Sequence, residues 1–403
     1  MTFDFPLSQV DATRLEMLQA DGVREGRQLE YKEVLPGETP EDKREFLADV
    51  SSFANAAGGD LIFGVRERRD ADKVPTGEIE AIVGVDLLNL DAERLRLENL
   101  IRDGIAPRMP PVAFHAINRG PEKPCLLIRR VPRSWAGLHM VTFRNLSRFF
   151  SRAWGGKYQL DVQEIRAGFV AAETAHERLR LFRTERVSRV LALEAPIPLG
   201  DGPKLILHAL PIGLSSDVWI RFLLKIREND APVAFALQPI GGTPDTWRFN
   251  VDGFVVHTLG SELARQSYTQ LFRDGGLEVV SGRVLFKVER YHGFFAWGME
   301  EAIIGRFAKF QEFWTQVGVL APLSVGLTLT GVKGWKVLSN PYGFPPDNDG
   351  FDRDVVFSPE VVVSDLNAAA DVVLRPLFDF VWNGGGWAQS PNYPDGRWVK
   401  PRF

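Results

Sequence analysis

The chain has 403 residues, more than one ordinary domain holds, so two or three domains are expected. Hydrophobic residues make up 45% and charged residues 25%, which excludes a disordered or fibrous chain. The net charge of −4 excludes a uniformly basic nucleic-acid coat, so any phosphate binding must come from a local patch.

A single cysteine, Cys125, rules out an internal disulfide and a cysteine-based zinc site and fits a reducing cytoplasm. Its setting, Pro124-Cys-Leu-Leu-Ile128, reads as a buried strand. The start Met1-Thr-Phe-Asp-Phe-Pro6 lacks the basic and apolar regions of a signal peptide. No apolar run reaches the roughly 18 residues of a membrane span. A soluble cytoplasmic protein without a membrane partner is expected.

In chain order, residues 8–20 read as a short helix with Leu15 and Leu18 on its apolar side, ended by Gly22. Gln28–Val34 alternates, Leu29 and Tyr31 against Glu30 and Lys32, which predicts a half-buried strand. Thr39, Pro40, Glu41 and Asp42 form a helix start of cap, first-position proline and dipole-matched acids. Phe46, Val50, Phe53 and Ala54 give that helix one apolar face, and Gly58-Gly59 stops it. Leu61–Val65 predicts a buried strand that runs on to Arg66-Glu67, and the polar run 68–79 a loop. A helix is expected from Asp91 to Gly104, then strands over 112–117 and 125–131. Asp161-Val-Gln-Glu164 is a capping box opening a helix toward Phe169, and a charged helix follows around 173–190. Beyond it, 204–210 and 323–329 predict strands, Asp252-Gly253 a hairpin turn, and Met299–Trp314 an amphipathic helix.

Between Lys123 and Leu160 there is no Asp or Glu. That stretch carries Arg129, Arg133, Arg144, Arg148, Arg152 and Lys157 among Trp135, Phe143, Phe149, Phe150, Trp154 and Tyr158. Such cations neutralise phosphates, and aromatics among them stack on unpaired bases. Most of these aromatics are expected in the core and the basic residues at the nucleic-acid surface. His139 is the one histidine placed for RNA contact; His208 and His257 read as core groups. Glu25, Glu30 and Glu67 form a second candidate set. Carboxylates converging from neighbouring elements repel one another unless they share a hard divalent cation, Mg²⁺ or Mn²⁺, which activates water and steadies a phosphate in nucleases. From spacing alone, ordinary strand-face glutamates explain them better. No P-loop, His-Glu-x-x-His or Gly-x-Ser-x-Gly motif occurs.

The runs Glu25-Gly-Arg-Gln-Leu-Glu-Tyr-Lys32, Phe53-Ala-Asn-Ala-Ala-Gly-Gly59 and Leu61-Ile-Phe-Gly-Val-Arg-Glu67, with Arg148-Phe-Phe-Ser-Arg152 later, resemble the Schlafen family's AlbA-like (AlbA_2) domain of bacterial type. The resemblance covers about 150 residues. It implies a metal-dependent ribonuclease triad of Glu25, Glu30 and Glu67 acting on tRNA-like RNA. Lys32, beside Glu30 in that pattern, is expected either to contact the scissile phosphate as a catalytic residue or to pair with a Glu. The third acid is usually Asp, so Glu67 departs from the pattern. Animal members have two such lobes and a zinc site; this chain has one lobe, so a homodimer is expected to supply the second wall. Bacterial relatives imply a setting in phage defence or stress.

The expected fold class is α+β: an N-terminal AlbA-like α/β domain over 1–170, a linker helix over 171–194, and a separate α+β domain of unassigned role over 195–403. The expected function is a metal-dependent endoribonuclease acting on tRNA or structured RNA. The alternative is a non-catalytic DNA- or RNA-binding regulator using the same basic surface.

Overall fold

The computed structural model describes residues 7, 10–85, 89–109, 112–118, 126–135, 137–212, 218–258, 266–285, 287–288, 292–319, 321–339 and 350–402. Cys125 lies outside them. The protein is mixed α+β and divides into two compact units, Met1–His176 and Glu177–Phe403.

In the first unit, α1 (Ala12–Ala20) starts where Asp11 accepts from the Arg14 N–H at 2.9 Å. The alternation of β1 (Leu29–Lys32) buries Leu29 and Tyr31 and turns Glu30 and Lys32 to the other side. Thr39 caps α2 (Pro40–Asn55), accepting from the Asp42 N–H at 3.1 Å. Gly58, at φ 71°, ends that helix. β2 (Gly59–Phe63) then runs parallel to β1 with Leu61 opposite Glu30. Gly59 has no room for a Cβ, which would lie 2.5 Å from the Phe53 ring.

Residues expected to form a loop instead build a hairpin, β3 (Val65–Arg69) and β4 (Pro75–Ile82), with irregular register around Glu67. Its charged residues face water, and little more than Val65 and Ile79 is buried, so no apolar alternation marks it. Next come α3 (Leu90–Gly104), capped by Asn89, then β5 (Ile105–Ala106), β6 (Ala113–Ile117), β7 (Leu126–Val131), β8 (Met140–Val141), β9 (Arg148–Ala153) and β10 (Gly156–Gln159). Two four-stranded sheets result, in orders β1-β2-β7-β6 and β10-β9-β8-β5. α2 packs against both, with Phe46, Val50 and Phe53 in the shared core.

The capping box forms as expected: Asp161 and Glu164 exchange hydrogen bonds at 2.8 and 2.9 Å. The two helices expected after it are one, α4 (Val162–Leu191), and the division into units falls inside it. Gly168 does not break it; it lets the helix approach Leu138, whose side chain would be 2.7 Å from a Cβ there.

The second unit holds β11 (Lys204–Pro211), α5 (Val218–Glu228), α6 (Asp230–Ala236), β12 (Thr246–Phe249), β13 (Gly253–His257), β14 (Ser267–Phe272), β15 (Leu277–Ser281), β16 (Lys287–Val288), β17 (Gly293–Phe295), α7 (Ala296–Val317), β18 (Leu323–Thr330), β19 (Lys336–Leu338), β20 (Val355–Phe357), β21 (Val361–Val363) and α8 (Ala370–Gly384). Its main sheet is antiparallel, in order β12-β13-β14-β15-β11-β18-β20, with β21 also on β18. One face packs Leu205 and Leu207 on Phe222, Phe307 and Trp314. The other packs Ile206, Val255 and Val280 under Val187 and Val190 of α4. With both faces covered, β11 is apolar apart from Lys204 and His208.

Glu300 of α7 is buried and accepts from Trp382 Nε1 (2.7 Å), Ser390 Oγ (2.7 Å), Asn392 Nδ2 (2.6 Å) and Trp398 Nε1 (2.8 Å). It ties the last stretch of chain to the helices. Glu300→Leu leaves these donors without their acceptor and is expected to lower stability by about 2–3 kcal/mol in urea denaturation. Among the described residues, no helix is long and apolar enough to cross a membrane.

Candidate functional site

Glu25, Glu30 and Glu67 come from three separate pieces of chain. Glu30 sits on the polar side of β1. Glu25 stands in the turn before it, where the Gly26 N–H donates to Leu29 O at 3.0 Å, and its carboxylate accepts from the Tyr31 N–H at 2.6 Å. Glu67 is not on the strand beside β1, where the sequence put it. Gly64, at φ 93°, turns the chain out of β2, and Glu67 falls on β3 of the hairpin. Gly77 links the two: its N–H donates to the Glu67 carboxylate at 2.6 Å, and its carbonyl accepts from the Glu25 N–H at 2.8 Å. Gly77 holds φ 78°, which a residue with a side chain rarely adopts. Burial, the charge on Glu30 and a smaller push from Glu67 raise the Glu25 carboxyl to about 8, against the Tyr31 hydrogen bond.

Glu30 is neutralised from within the protein. Burial pushes its carboxyl up, but Arg152 and Lys32, the latter at 2.7 Å, outweigh that and hold it below the usual range. Arg152, from β9, is wholly buried, with its guanidinium 4.2 Å from the centre of the Phe53 ring and 3.7 Å from Asp49. Asp49, buried on α2, ion-pairs with Lys157 at 2.8 Å and Lys32 at 3.5 Å. Burial raises the Asp49 carboxyl. For Lys32, burial works the other way, but Asp49 and Glu30 hold its ammonium above the ordinary value. Lys157 also pairs with Glu45. The cluster thus sets five carboxylates (Glu25, Glu30, Glu45, Asp49, Glu67) against three cations (Lys32, Arg152, Lys157).

Mg²⁺ or Mn²⁺ needs several oxygens converging on one point, at about 2.0–2.1 Å for Mg²⁺. Among the described residues, no three acidic, histidine or cysteine side chains are gathered closely enough to hold an ion. Glu30 gives its oxygens to Lys32 and Arg152, while Glu25 and Glu67 each give one to a backbone N–H. Arranged in this way, the three carboxylates do not fit a shared cation, and no chemical step is routed through one.

A family model described as Schlafen, AlbA_2 matches residues 25–161. Residues 25–161 form a Schlafen AlbA_2 domain. The family points to a nucleic-acid-related function. No curated protein matches the chain. Among solved structures, the chain is similar to the DIP2311 protein from Corynebacterium diphtheriae, 20% identical over 37% of this chain and 26% of that one, TM-score 0.25. It is also similar to the N-terminal domain of an ATP-dependent DNA helicase RecG-related protein from Nitrosomonas europaea, 20% identical over 31% of this chain and 75% of that one, TM-score 0.24. The match spans about a quarter of the Corynebacterium chain.

The AlbA_2 domain divides the basic residues into two groups. Arg129 and Arg152, expected at the nucleic-acid surface, are buried. Arg129 lies 4.8 Å from the Phe114 ring, and burial lowers it to about 10. His139 is also core: Ser134 Oγ and Pro107 O take its ring nitrogens at 2.6 and 2.8 Å, and burial lowers its pKa. Arg133, Arg144 and Arg148 stay exposed, and Lys157 is held in the acid cluster. Arg133 stacks on Trp135 at 3.7 Å, and Arg148 donates to Gln159 at 2.6 Å.

At the tip of the β9–β10 hairpin, Trp154 is 86% exposed, although most aromatics of this stretch were expected inside. Its ring lies 3.6 Å from where a Cβ on Gly26 would stand. Tyr158 is exposed on β10. Arg27 was not singled out from the sequence, yet its charge reaches both Arg133 and Tyr158. Arg27, Arg133, Trp135, Trp154 and Tyr158 therefore share one surface. The signal for Arg27 lay in its place inside the Glu25–Lys32 motif, two residues from the acid and one from the glycine that Trp154 covers.

Proposed function

We propose that the AlbA_2 domain binds nucleic acid with unpaired bases, tRNA-like RNA before DNA, across Arg27, Arg133, Trp135, Arg148, Trp154 and Tyr158. The observation that carries this reading is Trp154, an 86% exposed indole against Gly26, the chain neighbour of Arg27. Exposed rings of this kind stack on bases, and the arginines neutralise the backbone between them. The ion-paired cluster of Glu30, Asp49, Lys32, Arg152 and Lys157 then holds β1, α2 and the hairpin in place beneath the surface. A single lobe offers one wall, so the proposal keeps the homodimer; light scattering is expected to return twice the mass of one chain.

Base stacking is worth roughly 1–3 kcal/mol per aromatic, so Trp154→Ala is expected to weaken binding of bulk tRNA and single-stranded RNA by about 5–100-fold. Arg133→Gln is expected to weaken binding and flatten its salt dependence. Fluorescence anisotropy measures both. Binding unchanged in both variants sinks the surface assigned here.

A metal-dependent endoribonuclease using Glu25, Glu30, Glu67 and Lys32 with Mg²⁺ or Mn²⁺ is the second reading; it requires Glu30 to leave Lys32 and Arg152, and Glu25 and Glu67 to leave their backbone N–H partners. What favours it is the Glu25 carboxyl, raised to about 8 first by burial and then by the charge of Glu30, a cost that a divalent cation relieves. Incubation with bulk tRNA and Mn²⁺, beside Glu30→Ala and Glu67→Ala, separates the two. Cleavage lost in both variants supports the nuclease. Tight, salt-sensitive binding without cleavage supports the regulator.

A further inference from the structure

The second unit has a cavity of about 680 Å³ between the loop after α6 and the outer side of α7. That size suits a small ligand. Arg306 and Lys309 lie three residues apart on α7, so they share one side of it. Arg283, just after β15, brings a third cation into the lining. The acid in the lining, Glu301, pairs with Lys400 at 2.9 Å. Lys309 pairs with Glu312, which lies outside the lining. Among the described residues, Arg306 has no carboxylate within ion-pair distance; its guanidinium donates to Phe235 O at 3.4 Å. Burial disfavours its charge and lowers its pKa.

The loop wall is built for close approach. Gly241 holds φ 79°, and a Cβ on Gly242 would lie 2.4 Å from Thr258. Gln238 fixes the loop by donating to Gly242 O at 2.6 Å. Both glycines let the loop pack closely on Thr258 and Val284, which fixes this wall of the cavity. Ala302 adds an apolar portion, with the buried Ile240 behind it.

We propose that this cavity binds a small phosphorylated ligand of nucleoside-diphosphate size, its phosphates on Arg283, Arg306 and Lys309 and its apolar part against Ala302. The one acid of the lining is paired with Lys400, so Arg283, Arg306 and Lys309, the last sharing its charge with Glu312, favour an anion. Arginine matches phosphate oxygens with its two-pronged guanidinium. The site shares no residue with the surface proposed for the AlbA_2 domain, and its test is independent of that reading.

The full-length protein is titrated by calorimetry with ADP, with inorganic pyrophosphate and with a short 5′-phosphorylated RNA. Gly305 lines the cavity, and a Cβ there would meet nothing within 4 Å. Gly305→Trp therefore fills the space, while Gly305→Ala leaves it open and controls for folding. ADP and pyrophosphate are expected to bind. The Arg306→Gln/Lys309→Gln double variant and Gly305→Trp are each expected to weaken ADP by at least about tenfold, with Gly305→Ala as wild type. No binding of either compound at roughly millimolar concentration overturns the proposal. So does ADP binding that the double variant and Gly305→Trp leave intact. RNA binding weakened by those variants, without ADP binding, also overturns it and gives the cavity to a nucleic-acid backbone.

Discussion

Arg152→Leu is expected to cost the first unit about 3–5 kcal/mol of stability and to make the remaining stability responsive to divalent cations. The Arg152 side chain is wholly buried and faces two carboxylates, Glu30 and Asp49. Removing it leaves both charges in place, with Lys32 shared between them and Lys157 divided between Asp49 and Glu45. A buried ion pair contributes little net stability against a hydrophobic substitute, but removing one partner is costly because the other charge is stranded. Arg152→Lys keeps the charge and loses the fork and the contact with Phe53, so its loss is expected to be smaller. Urea denaturation of the full chain, with and without millimolar Mn²⁺, reads both effects. If Arg152 stands where a cation would otherwise be needed, Mn²⁺ stabilises Arg152→Leu and has little effect on the wild type. A loss below about 1 kcal/mol, or equal Mn²⁺ responses, would show that this ion network is not what holds the acid cluster together.

The same residue marks the border of what the sequence made legible. β1 and α2 could be read because their signals are local: Leu29 and Tyr31 alternate with Glu30 and Lys32, and Thr39-Pro40 is a self-contained cap. The three motifs around them carry the resemblance to the AlbA_2 domain in sequence alone. Arg152 is different. Its partner Glu30 is 122 residues away, and nothing within Arg148-Phe-Phe-Ser-Arg152 says that α2 covers that arginine while Arg148 stays in water. Arg129 was misplaced for the same reason, since a charged residue on an alternating strand reads as solvent-facing until a layer is seen to cover it. The β3–β4 hairpin failed on the opposite ground: an exposed ribbon has no apolar period to detect, and Glu67 moved with it. The cavity of the second unit draws on residues from 238 to 309, each unremarkable in its own segment.

In the second unit, acid is expected to remove about 3 kcal/mol through one buried carboxylate, Glu278. It accepts from Arg186 at 2.8 and 2.9 Å, from Tyr268 OH at 2.8 Å and from His208 Nε2 at 2.9 Å, with no exposed surface. Burial alone would raise its pKa, but the hydrogen bonds from Arg186 and His208 overcome that and bring it down to about 2. In the unfolded chain the group returns to about 4.5, so the unfolded state takes up the proton first. The contribution is therefore complete above about 4.5 and is lost as pH falls from there through about 2. A drop of that size corresponds to about 3 kcal/mol. His208 acts in the same sense. Burial lowers its pKa, so the neutral ring contributes above the ordinary 6.5, and stability declines as the unfolded histidine takes up its proton below that value. Glu278→Gln keeps the shape but leaves Arg186 with Asp252, at 3.1 Å, as its remaining acid. It is expected to cost about 3–5 kcal/mol at pH 7 and to flatten the pH dependence between about 4.5 and 2. Denaturation midpoints at a series of pH values, for wild type and variant, measure both. A variant that keeps the wild-type slope below pH 4.5 would place the acid sensitivity on other carboxylates, with Glu278 only a packing element of the sheet.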